Sequence, residues 1–399
     1  MPSLTTLPSI AALAASHRHG YCLEGDFYLR EDVFEKDLEL LLGRWICAGH
    51  VSDVAHPGDW LTVELGVESA IVVRGDDGVL RALANVCRHR GSRICEGGRG
   101  TAAVLTCPYH AWTYHLDGRL RRAREMPEGF DPAQHGLQPL RLEEIGGLIF
   151  ISFGADPPRL EEARRALEPM TGLYGWQTAR VAQRRSYGVA ANWKLVMENY
   201  HECYHCAPAH PEFSVLHALA RPDGRQIRPV PDPVSGLADY EAWNASPDDL
   251  EVARVMRSAL ARNCVSGSHD GRPVALDMRT RQESGTYCVF AELGFLAAFL
   301  AYPDYGTIYR FTPREPFFTE VEVLWLVRSD AAEGEDYDPE ALAWLWDVTS
   351  LADKTIIERN QRGVRSRAYR PGPFSLMEPG AAAYVERYVG ELGRLVGGR

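Results

Sequence analysis

Polar and apolar positions recur along this chain with two different periods, and the change of period divides it. Asp32–Leu42 carries Val33, Leu38, Leu40, Leu41 and Leu42 at helical spacing. From about residue 44 to 155 the period shortens. β-prone runs at Trp45–Val51, Trp60–Leu65, Ser69–Val73, Leu80–Asn85, Ala103–Cys107 and Leu148–Phe153 alternate with Gly, Asp and Pro turns. Asp76-Asp77-Gly78 and Asp117-Gly118 are hairpin signals. This stretch predicts a small antiparallel β domain. After Pro157-Pro158, helices are predicted over Leu160–Met170 and from Trp193 to about Cys206. Residues 221–237 read as a long Pro- and Gly-rich loop, and Ser246-Pro247-Asp248-Asp249 as a helix start. Residues 284–328 alternate as strands around a turn at Tyr302–Gly306. A last helix is predicted from Asp338-Pro339 to about Arg362. The second half is therefore α+β, an antiparallel sheet with packed helices. The expected division is a helical lead-in at 1–43, a β domain at 44–155 and an α+β domain at 156–399.

The length of 399 residues agrees with two or three domains at roughly 100–200 residues each. The formal charge of −11 repels phosphate backbones and anionic lipid, so neither nucleic acid nor a charged membrane surface is an expected partner. The strongest apolar run, Leu293–Tyr302, falls far short of the roughly 20 residues of a membrane span. No basic segment precedes the Ala-rich stretch Ile10–Ser16, so no signal peptide is expected. Nine cysteines are an odd number at low density, which is no disulfide scaffold. A reducing, cytoplasmic setting is expected, with cysteines that are buried, catalytic or metal ligands.

Two short motifs then supply chemistry. Residues 87–91 read Cys-Arg-His-Arg-Gly and residues 107–110 read Cys-Pro-Tyr-His. Each follows a predicted strand. Cys87 and Cys107 offer two thiolates to one iron; His89 and His110 offer two imidazoles to another. That is the ligand set of a Rieske [2Fe–2S] cluster. The rival is a Cys₂His₂ zinc site, but zinc sites usually pair like with like within a loop. Together with Trp112, Tyr114 and Leu116-Asp117-Gly118, these residues resemble the Rieske domain of Rieske-type non-haem iron oxygenases. Those are the α subunits of ring-hydroxylating dioxygenases and their monooxygenase relatives.

The second motif lies in 192–211. Glu202 and His205 are three apart and are expected to share a helix face; His210 is expected from a loop, because Pro208 and Pro211 break the helix. Two histidines and a carboxylate with open positions make the facial triad of oxygen-activating iron. The resemblance implies that the carboxylate is Asp353, in Asp353-Lys354-Thr355-Ile356-Ile357-Glu358, with Asp347 as the fallback. It also implies that Glu202 joins His205 to His110 of a neighbouring subunit, in a homotrimer or a dimer of trimers. Asn199 is expected to support the site from the same helix. The family's ring-hydroxylating members mostly carry aspartate at the position of Glu202. The stretch Glu202-Cys203-Tyr204-His205-Cys206 is similar to the betaine-demethylating branch.

Two other patterns overlap this segment. His201-Glu202-x-x-His205 matches the H-E-x-x-H of zinc proteases, a reading that needs His201 as a ligand. Cys203-x-x-Cys206 matches a redox dithiol, although no βαβ pattern surrounds it, so two packed thiols near the iron are expected. No G-x-G-x-x-G joins a strand to a helix, so electrons from NAD(P)H must arrive through a separate reductase, with or without a ferredoxin. Arg88, Arg90, Arg93 and Arg99 either dock that carrier or are solvated loop charges. The implied activity uses O₂ to hydroxylate a small molecule. N-methyl hydroxylation of a betaine-type quaternary ammonium compound is expected first, and attack on an aromatic ring or aromatic acid second. Residues 212–283 carry no motif and are expected to shape specificity.

Overall fold

The computed structural model describes residues 7–217, 240–241, 251, 253–261, 263–281 and 287–397. The loop expected at 221–237 and the helix start at Ser246 lie outside these residues. Helices α1 Ile10–Ser16, α2 Gly25–Leu29 and α3 Glu31–Leu42 open the chain. Ten strands follow: β1 Ile46–His50, β2 Asp59–Leu65, β3 Glu68–Arg74, β4 Leu80–Ala84, β5 Arg99–Thr101, β6 Leu105–Thr106, β7 Thr113–Tyr114, β8 Leu120–Arg122, β9 Pro139–Ile145 and β10 Leu148–Ser152. They form an antiparallel sheet in the order β1-β10-β9-β4-β3-β2-β5 and a small one, β6-β7-β8. Strand β3 is buried on both faces. Ala70 and Val72 enter the main core, while Ile71 and Val73 pack under Cys87, Cys107, Trp112 and Tyr114. The sheet thus supports the two Cys-His loops from beneath.

The second domain opens with α4 Glu161–Leu173 and β11 Arg180–Val189. Next come α5 Trp193–Tyr200, α6 Cys206–Ala209, α7 Pro211–Leu216, β12 Tyr240–Glu241, β13 Ala253–Ala259, β14 Tyr287–Leu293, β15 Ala297–Ala301, β16 Gly306–Glu315 and β17 Phe318–Val327. Helices α8 Pro339–Val364 and α9 Pro379–Gly397 end it. The seven strands are antiparallel in the order β11-β17-β16-β15-β14-β13-β12. Period-2 alternation assigns the faces. Ile308, Leu324 and Leu326 meet the buried Ala163, Ala166, Leu167 and Met170 stripe of α4; Tyr309, Phe311 and Val323 face the opposite core. The apolar run at Leu293–Tyr302 is not a span but a hairpin turning at Gly294, whose φ of +66° favours glycine.

Two expectations are corrected. Helix α8 is not the last: α9 follows it, with Ala381, Tyr384, Val385, Tyr388 and Leu392 buried at helical spacing. Its glycines at 380, 390, 393 and 397 weaken the helical signal, and tertiary packing overrides it. The helix from Trp193 ends at Tyr200, six residues short of the expected Cys206. His201 Nδ1 lies 2.6 Å from the carbonyl of Met197, and Glu202 turns back to accept from the N–H groups of Tyr204 and His205. Local side-chain bonds of this kind compete with helix propagation.

The opening helices pack on the second domain. Asp37 of α3, fully buried, pairs with Lys194 of α5 and accepts from Trp193 Nε1 at 3.0 Å and from Tyr388 Oη at 2.6 Å. Asp37→Ala strands a buried lysine. It is expected to cost about 3–5 kcal/mol, read as a fall in the denaturation midpoint. An unchanged midpoint would contradict this reading. Between the two sheets, Arg184 bonds both Asp53 at 2.6 Å and Glu322 at 2.8 Å.

Candidate active site

The two Cys-His loops are built alike. In each, the N–H four residues on closes onto the cysteine carbonyl, Gly91 to Cys87 at 3.0 Å and Ala111 to Cys107 at 3.1 Å. Each closing residue is left-handed, Gly91 at φ +77° and Ala111 at +55°. A left-handed alanine is costly and persists where its surroundings fix it, often at functional sites. Cys87 and Cys107 are buried, whereas His89 and His110 are exposed. Burial pushes the Cys87 thiol up, and neighbouring Cys107 adds to this, while Tyr114 Oη, 3.2 Å from Cys87 Sγ, opposes it. The imidazoles lie 4.7 Å apart, and His89 stacks on Trp112 at 4.9 Å.

A single zinc ion would need all four donors on one point. Among the described residues, the donor group that closes within 4.8 Å is a different one, His205, His210 and Asp353. Thiols on one side and imidazoles on the other suit a two-iron cluster, each iron taking two protein ligands. Of the four arginines near this loop, Arg93 pairs with Glu64, and Arg99 lies 3.6 Å from Asp53 and 3.8 Å from Glu322. Arg88 and Arg90 stay exposed.

The triad comes from three elements. Asn192 caps α5, accepting from Lys194 N, and fixes where the helix begins. Glu202 and His205 do not share a helix face as expected; the turn after α5 brings them together, with His205 Nδ1 donating to Glu202 Oε1 at 2.5 Å. That bond leaves Nε2 free for a metal. His210 stands between α6 and α7, where Pro211 forbids continuation. Asp353 lies within α8, whose start is set by the Asp338 cap and Pro339. Asp353 Oδ1 is 2.9 Å from His210 Nε2 and 3.2 Å from His205 Nε2. Burial opposes ionisation of both partners, yet these bonds push His205 up to about 9 and hold the Asp353 carboxyl below its usual range. Asp347 is elsewhere, bonded by Tyr187 Oη at 2.7 Å and Arg185 at 2.8 Å.

Asn199 Nδ2 lies 3.3 Å from His205 Nε2, and its buried Oδ1 has no partner among the described residues. A buried orphan acceptor beside three converging donors fits a site built for a bound metal with water or ligand. Two imidazole nitrogens and one carboxylate are the donor set of non-haem iron with open positions. His201 does not join the triad. It stacks on Tyr384 and faces Glu292 at 3.4 Å, so the zinc-protease pattern is broken. Cys203 and Cys206 are not packed thiols but a disulfide.

Sequence reasoning missed Glu198, one turn before Glu202. It accepts from Tyr28 Oη at 2.8 Å, and burial pushes its carboxyl up to about 8. Tyr28 comes from α2, 170 residues earlier in the chain, and no local spacing announces that partner. It also named no aromatic wall. Trp346 sits two turns before Asp353 on α8, 5.8 Å from Phe213 and 6.0 Å from Tyr309. Tyr309 in turn lies 4.9 Å from Tyr200.

Comparison with known proteins agrees with this geometry. Residues 44–140 match the Rieske [2Fe-2S] domain, and residues 176–393 match the ring hydroxylating alpha subunit (catalytic domain). The glycine betaine monooxygenase oxygenase subunit of Chromohalobacter salexigens is 35% identical, covering 97% of this chain and 89% of the relative. The carnitine monooxygenase oxygenase subunit of Escherichia coli is 38% identical over 50% of this chain and 55% of its own. The crystal structure of the quaternary ammonium Rieske monooxygenase CntA with an inhibitor superposes with a TM-score of 0.74 at 25% identity, covering 98% of this chain and all of the other. A Rieske domain, a triad for mononuclear iron and a matching catalytic domain on one chain have one meaning: this protein belongs to the Rieske-type non-haem iron oxygenase α subunits, and is a terminal oxygenase.

Proposed function

We propose that this oxygenase hydroxylates an N-methyl group of a betaine-type quaternary ammonium compound. The observation that carries this is the aromatic wall beside the triad. A quaternary ammonium has no N–H to donate and is held by π faces. Trp346, two turns before Asp353 on α8, packs with Tyr309 and Phe213 as such rings, and burial, with the Asp353 charge adding to it, raises the Tyr309 hydroxyl. The glycine betaine relative supports the same substrate class. Iron held by His205, His210 and Asp353 would supply activation of dioxygen. Hydroxylation at an N-methyl carbon gives a carbinolamine, which collapses to formaldehyde and the demethylated amine. Trp346→Ala is expected to raise KM for the betaine ~30-fold, about 2 kcal/mol of cation–π contact. Iron content reports that the site survives, and an unchanged KM would sink the wall's role. An aromatic substrate would stack on the same rings, and its product would release no formaldehyde.

The proposal extends to electron supply. Cys87, His89, Cys107 and His110 hold the cluster in the domain at 44–155, and the triad belongs to the domain at 156–399, behind the lead-in at 1–43. His110 of one subunit meets Glu202 of the next, in a homotrimer or a dimer of trimers. Exposed Tyr109 stacks on His110 at 3.8 Å, and exposed Tyr204 adjoins Glu202, so each proposed contact carries an uncovered aromatic. A separate NAD(P)H-dependent reductase, with or without a ferredoxin, supplies the electrons, and exposed Arg88 and Arg90 favour an acidic carrier. No helix of the described residues is long and apolar enough to cross a membrane. A cytoplasmic location is part of this reading: a single disulfide, Cys203–Cys206, joins two of the nine cysteines among the described residues, which is no secreted disulfide scaffold.

A further inference from the structure

The Cys203–Cys206 disulfide encloses the segment that carries the metal ligand His205. Besides this bridge, the turn is closed by Glu202, which accepts from Tyr204 N and His205 N, and by a long Cys206 N–H bond to the Cys203 carbonyl at 3.3 Å. Cys206 is anchored, 6% exposed in the core with Phe213 and Leu216; Cys203 faces solvent. One sulfur is therefore open to attack and the other holds the turn to the body of the domain. We propose that Cys203–Cys206 is a reversible thiol–disulfide site, opened by a low-molecular-weight dithiol, that sets how firmly the 202–206 turn retains iron. This rests on His205 being an iron ligand.

The exchange balances without any metal. A thiolate of the dithiol attacks Cys203 Sγ, the S–S bond breaks, and Cys206 leaves as a thiolate that takes a proton. The second thiol of the reagent resolves the mixed disulfide. Cys203 is released as a thiol, and the reagent leaves as its own disulfide. Two electrons and two protons pass to the protein. The triad closes within 4.8 Å with the bridge formed, an arrangement that suits iron retention in the oxidised chain. Opening the bridge removes the covalent closure of the turn and leaves only hydrogen bonds to position His205, from Glu202, the Cys206 N–H, Asp353 and Asn199. Four of the other cysteines are poor competitors: burial pushes the thiols of Cys22, Cys47, Cys95 and Cys288 up to about 12.

The test uses the iron-loaded oligomer, without and with dithiothreitol under anaerobic conditions. Iodoacetamide labelling is read by mass spectrometry, and iron release to a chelator is followed by absorbance. The peptide bearing Cys203 and Cys206 should gain two labels only after reduction. Iron release should then quicken about tenfold, the low end of what losing a ligand's support typically costs. In Cys203→Ser/Cys206→Ser, release should be fast with and without reductant. Cys203→Ala, at the exposed position alone, should behave the same way and serves if the double variant does not fold. Labelling of both cysteines before reduction overturns the proposal, as does release that reduction leaves unchanged. If the oxidised protein holds no iron at the triad, the iron reading itself fails, and its iron content tells that result apart.

Discussion

Asp353→Ala is expected to leave the Rieske cluster intact and the mononuclear site empty, with turnover lost. Asp353 Oδ1 is the atom on which both ligand imidazoles converge, and the residue is 6% exposed. Losing a group that merely steadies a ligand costs about 10–100-fold in metal affinity or activity. Losing the ligand itself should cost more than about 100-fold. The cluster's visible spectrum serves as the folding control, because Cys87 and Cys107 pack in a separate core. Asp347→Ala is the discriminating partner. Asp347 is engaged by Tyr187 and Arg185, so that variant should keep its mononuclear iron. Iron retained in Asp353→Ala and lost in Asp347→Ala would reverse the assignment.

Glu202→Gln is expected to keep both metal centres and lose communication between them. The amide oxygen still accepts from His205 Nδ1, which keeps the ligand ring oriented, while the amide nitrogen in place of Oε2 gives up the bonds from Tyr204 N and His205 N; the negative charge proposed to bridge to the neighbouring His110 is gone. A carboxylate between two imidazoles fixes their tautomers and favours the proton movement that accompanies electron transfer. A loss of about 10–100-fold is expected in the rate at which oxygen and substrate re-oxidise the reduced cluster, with iron content unchanged. Glu202→Asp, one methylene shorter, should fall between. Re-oxidation at the normal rate in Glu202→Gln would remove the residue from the electron path.

The local parts of this site were legible because their chemistry is written in short spacings. Cys87–His89 and Cys107–His110 are two and three residues apart, and matched loops follow directly from that pattern. Glu202, His205 and His210 lie within nine residues, with Pro208 and Pro211 marking the turns. Asp353 is 143 residues beyond His210, and only the resemblance located it; a lone acid on a helix carries no signal of its own. The end of α5 was misplaced because Trp193–Tyr200 has no breaker after it. What stops that helix is a set of side-chain bonds from His201 and Glu202, which propensity does not report. The disulfide was missed for a related reason: a C-x-x-C spacing fits free thiols and a bridge equally well. The aromatic wall is tertiary, joining Phe213, Tyr309 and Trp346 from three elements.

A single-turnover experiment tests the central claim most directly. Iron-loaded protein is reduced chemically, exposed to oxygen with glycine betaine or an aromatic acid, and analysed for formaldehyde and hydroxylated products. Chemical reduction removes any need for the reductase. The account predicts formaldehyde and the demethylated amine from the betaine, absent when His205→Ala replaces the wild type. A ring-hydroxylated product without formaldehyde would contradict it.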